Sequence, residues 1–467
     1  MADSPATKLD LAAELTALLG PDRVSVAPDV LETHSIDKWH ASAPPEVVVL
    51  ARERGDVEKT LRLAHQHSIP VTTRGGGVGY VGGAVPVKGG IVLSVRGMDR
   101  IVEINTADGV AVVEPGVILD DLQRAVRAKG WYYPPDPASL KECTLGGNIA
   151  CNAGGPRCLK YGVTRHYVLG LEVVLANGDV LVTGGRCHKN KTGFDLIGSF
   201  VGSEGMLGVV TRATLRLIPH PEARAMLTAT FDTFAEAAAA VQSILNSRWQ
   251  PSALEITDGF TLRAARDYLG AEALPDGNAH LIVEIDGRAD SVRGELAALR
   301  EFLSSLGTLS VGEAPDEAGC EAIWRLRRDF SYSLRATGLV KLNEDIVVPR
   351  SKLVDLVNFA HRLQEETGIE VACFGHAGDG NIHTNLMVPN YHDDPAARAR
   401  ADEALDQLFH WVLGVGGAIT GEHGIGLAKK RWYPDAVPPV GQAVHRALKD
   451  ALDPTGILNP GKFVTPV

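Results

Sequence analysis

Apolar residues recur in two different rhythms along this chain, and the rhythm changes at a proline pair near its middle. From Pro45 to Pro219, short β-rich runs alternate with glycine turns. Val47–Leu50, Val71–Thr73, Ile91–Val95 and Val110–Val113 read as strands, with Val57–His67 a helix between the first two. Leu171–Val182 reads as a hairpin, because Asn177-Gly178 tolerates the positive φ of a tight turn. Val209–Ile218 continues as a strand and ends at Pro219-His220-Pro221, which marks a boundary.

Past that boundary Met226–Phe231, Ala253–Thr257 and Leu281–Ile285 read as strands, and Phe234–Leu245 and Val292–Leu306 as helices. That order predicts an antiparallel sheet backed by helices, hence an α+β chain. Ser351–Glu366 and Pro395–Val412 add helices with apolar residues three and four apart. Asp453-Pro454-Thr455-Gly456 is turn chemistry, and Leu458–Phe463 is expected to pack back on the first domain. The pattern divides the chain into 1–219, 220–413 and a returning segment 414–467. Near the start, Leu11, Leu15, Leu18 and Leu19 predict an amphipathic helix packed on the protein.

Composition narrows the function classes. At 467 residues two domains are expected, and 45% hydrophobic with 22% charged residues is ordinary for an enzyme. Lys and Arg number 46 against 57 Asp and Glu, a net charge of −11, which disfavours a nucleic-acid partner. No apolar run reaches the ~18 residues of a membrane span. Met1–Asp10 lacks a leader pattern, so the expected location is cytoplasmic. Six cysteines without a CxxC pair offer neither a disulfide framework nor iron–sulfur or zinc-thiolate spacing.

The 50 glycines change the picture most, because they cluster. One loop is Arg74-Gly75-Gly76-Gly77-Val78-Gly79-Tyr80-Val81-Gly82-Gly83. The other runs Thr144-Leu145-Gly146-Gly147-Asn148-Ile149-Ala150-Cys151-Asn152-Ala153-Gly154-Gly155. Bare backbone N–H groups in such loops can converge on a pyrophosphate. The first loop lacks the helix start and downstream ribose acid of a Rossmann site. Two such loops on one domain point to a phosphate cradle.

A second constellation lies in Phe374-Gly375-His376-Ala377-Gly378-Asp379-Gly380-Asn381-Ile382-His383-Thr384-Asn385. With Asp379-Gly380 as the two central turn residues, His376 would stand opposite His383 and Asn385 would share their face. Two imidazoles so placed can bind one metal. A third ligand would come from Gly416–Gly426, whose small residues surround the pair Glu422-His423.

Together with Pro134-Pro135-Asp136-Pro137-Ala138-Ser139 and Gly202-Ser203-Glu204-Gly205-Met206-Leu207-Gly208, these stretches resemble the vanillyl-alcohol oxidase/p-cresol methylhydroxylase superfamily. The nearest likeness is its FAD-linked D-2-hydroxyacid dehydrogenase branch, from Pro45 to the C-terminus. The resemblance implies an FAD domain followed by an antiparallel-sheet substrate domain. It implies FAD with its pyrophosphate on both loops and Pro135, Asp136, Glu204 and Gly208 beside it. No histidine lies between Arg74 and Gly83, so FAD is expected to be dissociable. It further implies that His376, His383 and Glu422 ligate a metal and that His423 is the base. Arg327 would bind the substrate carboxylate, with its neighbour Lys341 and with Asn385 as further substrate-binding residues. Lys341-Leu342-Asn343-Glu344-Asp345 departs in spacing from the 2-hydroxyglutarate enzymes, which favours a monoacid such as D-lactate.

Two His and one carboxylate suit zinc or non-haem iron; with a flavin carrying electrons, a redox-inert ion such as zinc is expected. The expected partners are a small anionic 2-hydroxy acid and an electron acceptor: quinone, electron-transfer flavoprotein, cytochrome or iron–sulfur subunit. A homodimer is compatible with all of this. The competing readings are a D-2-hydroxyglutarate or glycolate dehydrogenase, and an electron-transfer flavin subunit of a larger complex. The four intact side chains His376, His383, Glu422 and His423 argue against a decayed site and against oxygen-using or alkyl-transferring relatives.

Overall fold

The computed structural model describes residues 9–464, so most of the Met1–Asp10 stretch read for a leader lies outside the described residues. The first sheet has the order Val24–Ser25, Val47–Leu50, Ile91–Ser94, Val71–Arg74, the last three parallel. Val47–Val49 and Ile91–Leu93 are fully buried, which is why they read as continuous β-branched runs without alternation. The Arg54–Gln66 helix starts three residues before the expected Val57 and makes the crossover that parallel strands need.

A five-stranded antiparallel sheet follows, ordered Ile101–Asn105, Val110–Val113, Val209–Arg216, Val168–Val174, Val180–Gly184. Its last hairpin has Val174 opposite Val180, with Gly178 at φ +83 in a five-residue connection. The chain then pairs Ile218–Pro219 with Trp131–Tyr132 and enters a different sheet at Ala223.

That third sheet is antiparallel throughout and has seven strands. Their order is Ser310–Ala314, Ala223–Phe231, Ala279–Gly287, Ala253–Asp258, Glu370–His376, Asn381–Val388, Val340–Val347. Helices Phe234–Leu245, Ala289–Ser304, Leu353–Thr367 and Pro395–Gly414 pack on one face, where Leu254, Val283, Ile346 and Ile382 join the largest apolar core. Strand alternation then sends Glu255, Glu284, Asp345, His376 and His383 to the opposite face. A single two-residue periodicity therefore separates the core of this sheet from its chemistry.

The end of the chain closes the edge of the first sheet. Val71 N donates to Ile457 O at 2.8 Å, Asn459 N donates to Val71 O at 2.7 Å, and Leu458 is fully buried. On the way there, Ala418 bridges to Val347 at the edge of the seven-stranded sheet, so residues 419–426 pass between the sheets. The Leu11–Leu19 helix buries Leu11 and Leu15 in the core beneath the first sheet and leaves Leu18 outside.

Two local expectations need correction. The second glycine-rich segment is not a loop: Leu145–Cys151 is a short helix, with Thr144 Oγ1 accepting from Gly147 N and Asn152 ending it at φ +52. Thr144 at the N-cap outweighs the poor helix propensity of Gly146 and Gly147. The hairpin register also differs, because His376 faces Asn381 and His383 faces Phe374. The turn takes four residues, 377–380: Gly378 N is claimed by Leu254 O of the neighbouring strand, and Gly380 O by Val348 N. His376 and His383 are thus diagonal neighbours, still on one face.

Candidate active site

One cavity of about 1380 Å³ lies between the first two sheets and the polar face of the third. Gly75, Gly76, Gly77, Val78, Gly79 and Gly83 line it from the first loop. Thr144, Gly146, Gly147, Asn148, Ala150, Ala153 and Gly154 line it from the capped helix and its exit, and Asp136, Glu204 and Gly208 complete that side. The glycines are required by close packing. A Cβ on Gly76 would stand 2.6 Å from the Glu142 carbonyl oxygen, and one on Gly146 2.6 Å from Pro115 Cβ. The main chain thus reaches the cavity wall itself, as an extended pyrophosphate-bearing cofactor requires.

Five residues expected at the cofactor stand behind this wall. Arg74 is buried and donates to Ile36 O beneath Gly77. Gly82 packs on Leu427 and Trp39, and the Pro135 carbonyl accepts from Gln123. Asn152 caps the short helix while its Oδ1 accepts from Arg165 N, and Gly155 lies against Asp136. Glu204 reaches the wall but spends both oxygens on the returning segment, accepting from Ile425 N at 2.7 Å and Gly426 N at 2.8 Å.

Facing the cradle, one ligand atom each from His376, His383 and Glu422 lies within 4.8 Å of the others. His376 Nε2 is 2.8 Å from Glu422 Oε1, and the His376 and His383 rings meet edge-on at 5.5 Å. His383 Nδ1 is buried without a hydrogen-bond partner among the described residues. Burial opposes charge on His376, but the Glu255 and Glu422 carboxylates hold its pKa well above the usual histidine range. Burial, then His376 beside it, holds His383 well below that range, so His383 is a neutral imidazole. Two imidazoles and a carboxylate, one nitrogen buried and unpartnered, fit a small divalent cation.

His423 stacks on His383 at 5.7 Å and lies 5.2 Å from the Tyr80 ring. Its Nδ1 faces Asp345 Oδ2 at 3.9 Å, and burial lowers its pKa. Arg327 and Lys341 border the same cavity, both over Phe374: the guanidinium carbon is 4.6 Å and the lysine Nζ 5.6 Å from the ring centroid. Asn385 does not border the cavity. It is fully buried, and its Nδ2 donates to the Ala372 and His383 carbonyls, so it holds the strands together.

Three buried carboxylates behind these groups carry no local sequence signal. Glu255 accepts from Arg327 Nε at 2.7 Å and lies 2.5 Å from His376 Nδ1. Asp345 Oδ2 accepts from Thr420 Oγ1 and from the amides of Gly421, Glu422 and His423, while Oδ1 accepts from Asn381. Glu284 holds Arg157, which also meets Asp136, and so joins the third sheet to the cradle.

Residues 45–184 match the family model described as "FAD binding domain", and residues 220–463 match "FAD linked oxidases, C-terminal domain". The chain is 38% identical to the glycolate oxidase subunit GlcD of Bacillus subtilis, over 90% of this chain and 89% of that one. It is 32% identical to a D-lactate dehydrogenase of Anaerostipes hadrus, over 95% of each. The solved structure of p-cresol methylhydroxylase with substrate bound overlays with a TM-score of 0.80 over 97% of this chain and 96% of that one, at 21% identity. The fold is therefore that of the p-cresol methylhydroxylase-type flavoproteins, and the chain belongs to the FAD-linked oxidase family of oxidoreductases.

Proposed function

We propose that this protein oxidises a D-2-hydroxy acid to the 2-oxo acid, with FAD in the glycine cradle and a divalent cation on His376, His383 and Glu422. The observation that carries this reading is the convergence of those three donors within 4.8 Å in the cavity that the cradle also lines. The names of the relatives, a glycolate oxidase subunit and a D-lactate dehydrogenase, support the substrate class.

Bound FAD supplies the acceptor for the hydride, and the cation supplies a positive charge that lowers the pKa of the substrate hydroxyl. Everything else falls to side chains. Arg327 binds the carboxylate and fixes the substrate along the cavity. His423, held neutral by burial and with Nδ1 turned to Asp345, keeps Nε2 free to take the hydroxyl proton. Asp345 keeps Glu422 and His423 in place by gathering the amides of their loop. FAD is dissociable in this reading, because the first loop offers no histidine to attach it.

A small monoacid such as D-lactate is the leading substrate, since Arg327 and the cation account for one carboxylate. A diacid is the second reading, favoured by Lys341 beside Arg327 over the same ring. No helix among the described residues is long and apolar enough to cross a membrane. The decisive experiment is a screen of D-2-hydroxy acids with an artificial acceptor, run beside a metal analysis. Metal-free protein that turns over D-lactate as well as loaded protein would refute the cation's role.

A further inference from the structure

We infer that Glu255 is a positioning residue that sets the proton on His376 and joins the cation site to the carboxylate clamp; this rests on the cation reading above. Glu255 is on the strand Ala253–Asp258 and is buried. Its two oxygens have separate tasks. Oε2 takes Arg327, with Nε and Nη2 each at 2.7 Å, and Oε1 lies 2.5 Å from His376 Nδ1.

An ionised carboxylate only accepts hydrogen bonds, so the proton in the Glu255–His376 contact is on Nδ1. With Nδ1 so engaged, Nε2 is the nitrogen that faces Glu422, at 2.8 Å, and it is the one a cation would take in place of that contact's proton. The tautomer of a metal-binding histidine is set by the bond its other nitrogen makes, and losing that partner typically costs about 10- to 100-fold in metal affinity. The Oε2 contact meanwhile consumes two N–H edges of Arg327. The guanidinium is left with its remaining donors for substrate, its carbon 4.6 Å from the Phe374 ring centroid. One carboxylate thus registers the two groups that would grip opposite ends of a hydroxy acid's C1–C2 unit.

Glu255→Gln separates this from a packing role, because the amide keeps the shape and changes one acceptor into a donor. Its oxygen would stay with cationic Arg327, and its NH₂ would then face His376 Nδ1. The imidazole must answer by moving its proton to Nε2, which blocks the ligating lone pair. The test uses the flavin-loaded protein, with Zn²⁺ alone as the probe, measured by competition with a chelator. Zn²⁺ affinity in Glu255→Gln should fall about 10- to 100-fold, with flavin content unchanged and with most of the affinity recovered in Glu255→Asp. Glu255→Gln binding Zn²⁺ within twofold of wild type would overturn the inference. Wild type that binds no Zn²⁺ would instead overturn the cation reading beneath it. Imidazole ¹⁵N spectra of the Zn²⁺-loaded wild type decide the matter should the variant fail to fold: His376 must keep its proton on Nδ1 and ligate through Nε2, and the reverse arrangement would refute the assignment.

Discussion

Along Gly75–Gly83 and Gly146–Gly154 the wall of the cavity is main chain, whereas across from it His376, His383, Glu422 and His423 present side chains. The first wall is made by leaving atoms out. Its glycines pack until a Cβ would overlap a carbonyl, and a cofactor can rest on amides that need no further partner. The second wall is made by adding charge, and buried charge must be answered. A buried carboxylate without partners costs several kcal/mol, so Glu255 and Asp345 each spend both oxygens on donors. A binding wall of backbone is therefore encoded within a dozen residues, while one of side chains recruits strands from across the sheet.

The comparison breaks most sharply if each wall is damaged alone. Gly76→Ala places a methyl against the Glu142 carbonyl, which is backbone and cannot swing away. The purified variant should be colourless and inactive yet still bind Zn²⁺. His376→Ala with His383→Ala should do the reverse, keeping the yellow flavin spectrum while losing the divalent ion and all measurable turnover. Absorbance at the flavin bands and elemental analysis read both variants. If either change removed flavin and metal together, the two walls would not be separable.

Next in size is the proton transfer. His423→Asn should slow flavin reduction by D-lactate about 10²- to 10⁴-fold while leaving bound metal unchanged. Metal lost along with activity would make His423 a ligand and Glu422 the misassigned partner. Arg327→Ala removes one charge-assisted hydrogen bond to the substrate, worth about 1.5–3 kcal/mol, and should lower kcat/KM ~10- to 150-fold. Metal content measured on the same sample shows whether the freed Glu255 oxygen disturbs the cation site as well.

The same contrast explains what the sequence disclosed. The strands Val47–Leu50 and Val110–Val113 and the helix Phe234–Leu245 are found with the bounds that periodicity gave, and the family model for FAD binding covers the first glycine loop and the second glycine-rich segment. His376, His383 and Glu422 are drawn together although the register expected for the hairpin was two residues off, because diagonal and directly opposed positions share a face. Glu255, Glu284 and Asp345 went unnoticed since nothing local distinguishes a buried acid from an exposed one on an alternating strand. The helix Glu317–Ala336, which carries Arg327, also escaped, being rich in arginine and reading as surface. Asn385 was overvalued for the opposite reason: sharing a face with His383 does not give a side chain access to the cavity.

The smallest effect concerns how many carboxylates the cavity wall can address. Lys341 borders the cavity, donates to Ser331 Oγ at 2.9 Å, and has its pKa lowered to about 7 by burial and then by Arg335 and Arg327. The sign follows directly. Below pH 7 the ammonium is charged and attracts a second, distal carboxylate; above pH 7 it is neutral and does not. KM for D-2-hydroxyglutarate should therefore rise with pH through about 7, and the loss of one partly solvated ion pair, roughly 1 kcal/mol, limits that rise to about fivefold. KM for D-lactate should stay nearly flat over the same window, because its one carboxylate belongs to Arg327 and the cation. Lys341→Met should erase the limb for the diacid and spare the monoacid. A diacid profile that keeps its limb in Lys341→Met would assign that titration elsewhere. A strong wild-type preference for the diacid, lost in the variant, would show that the wall was built for two carboxylates and that the altered spacing after Lys341 is no bar to them.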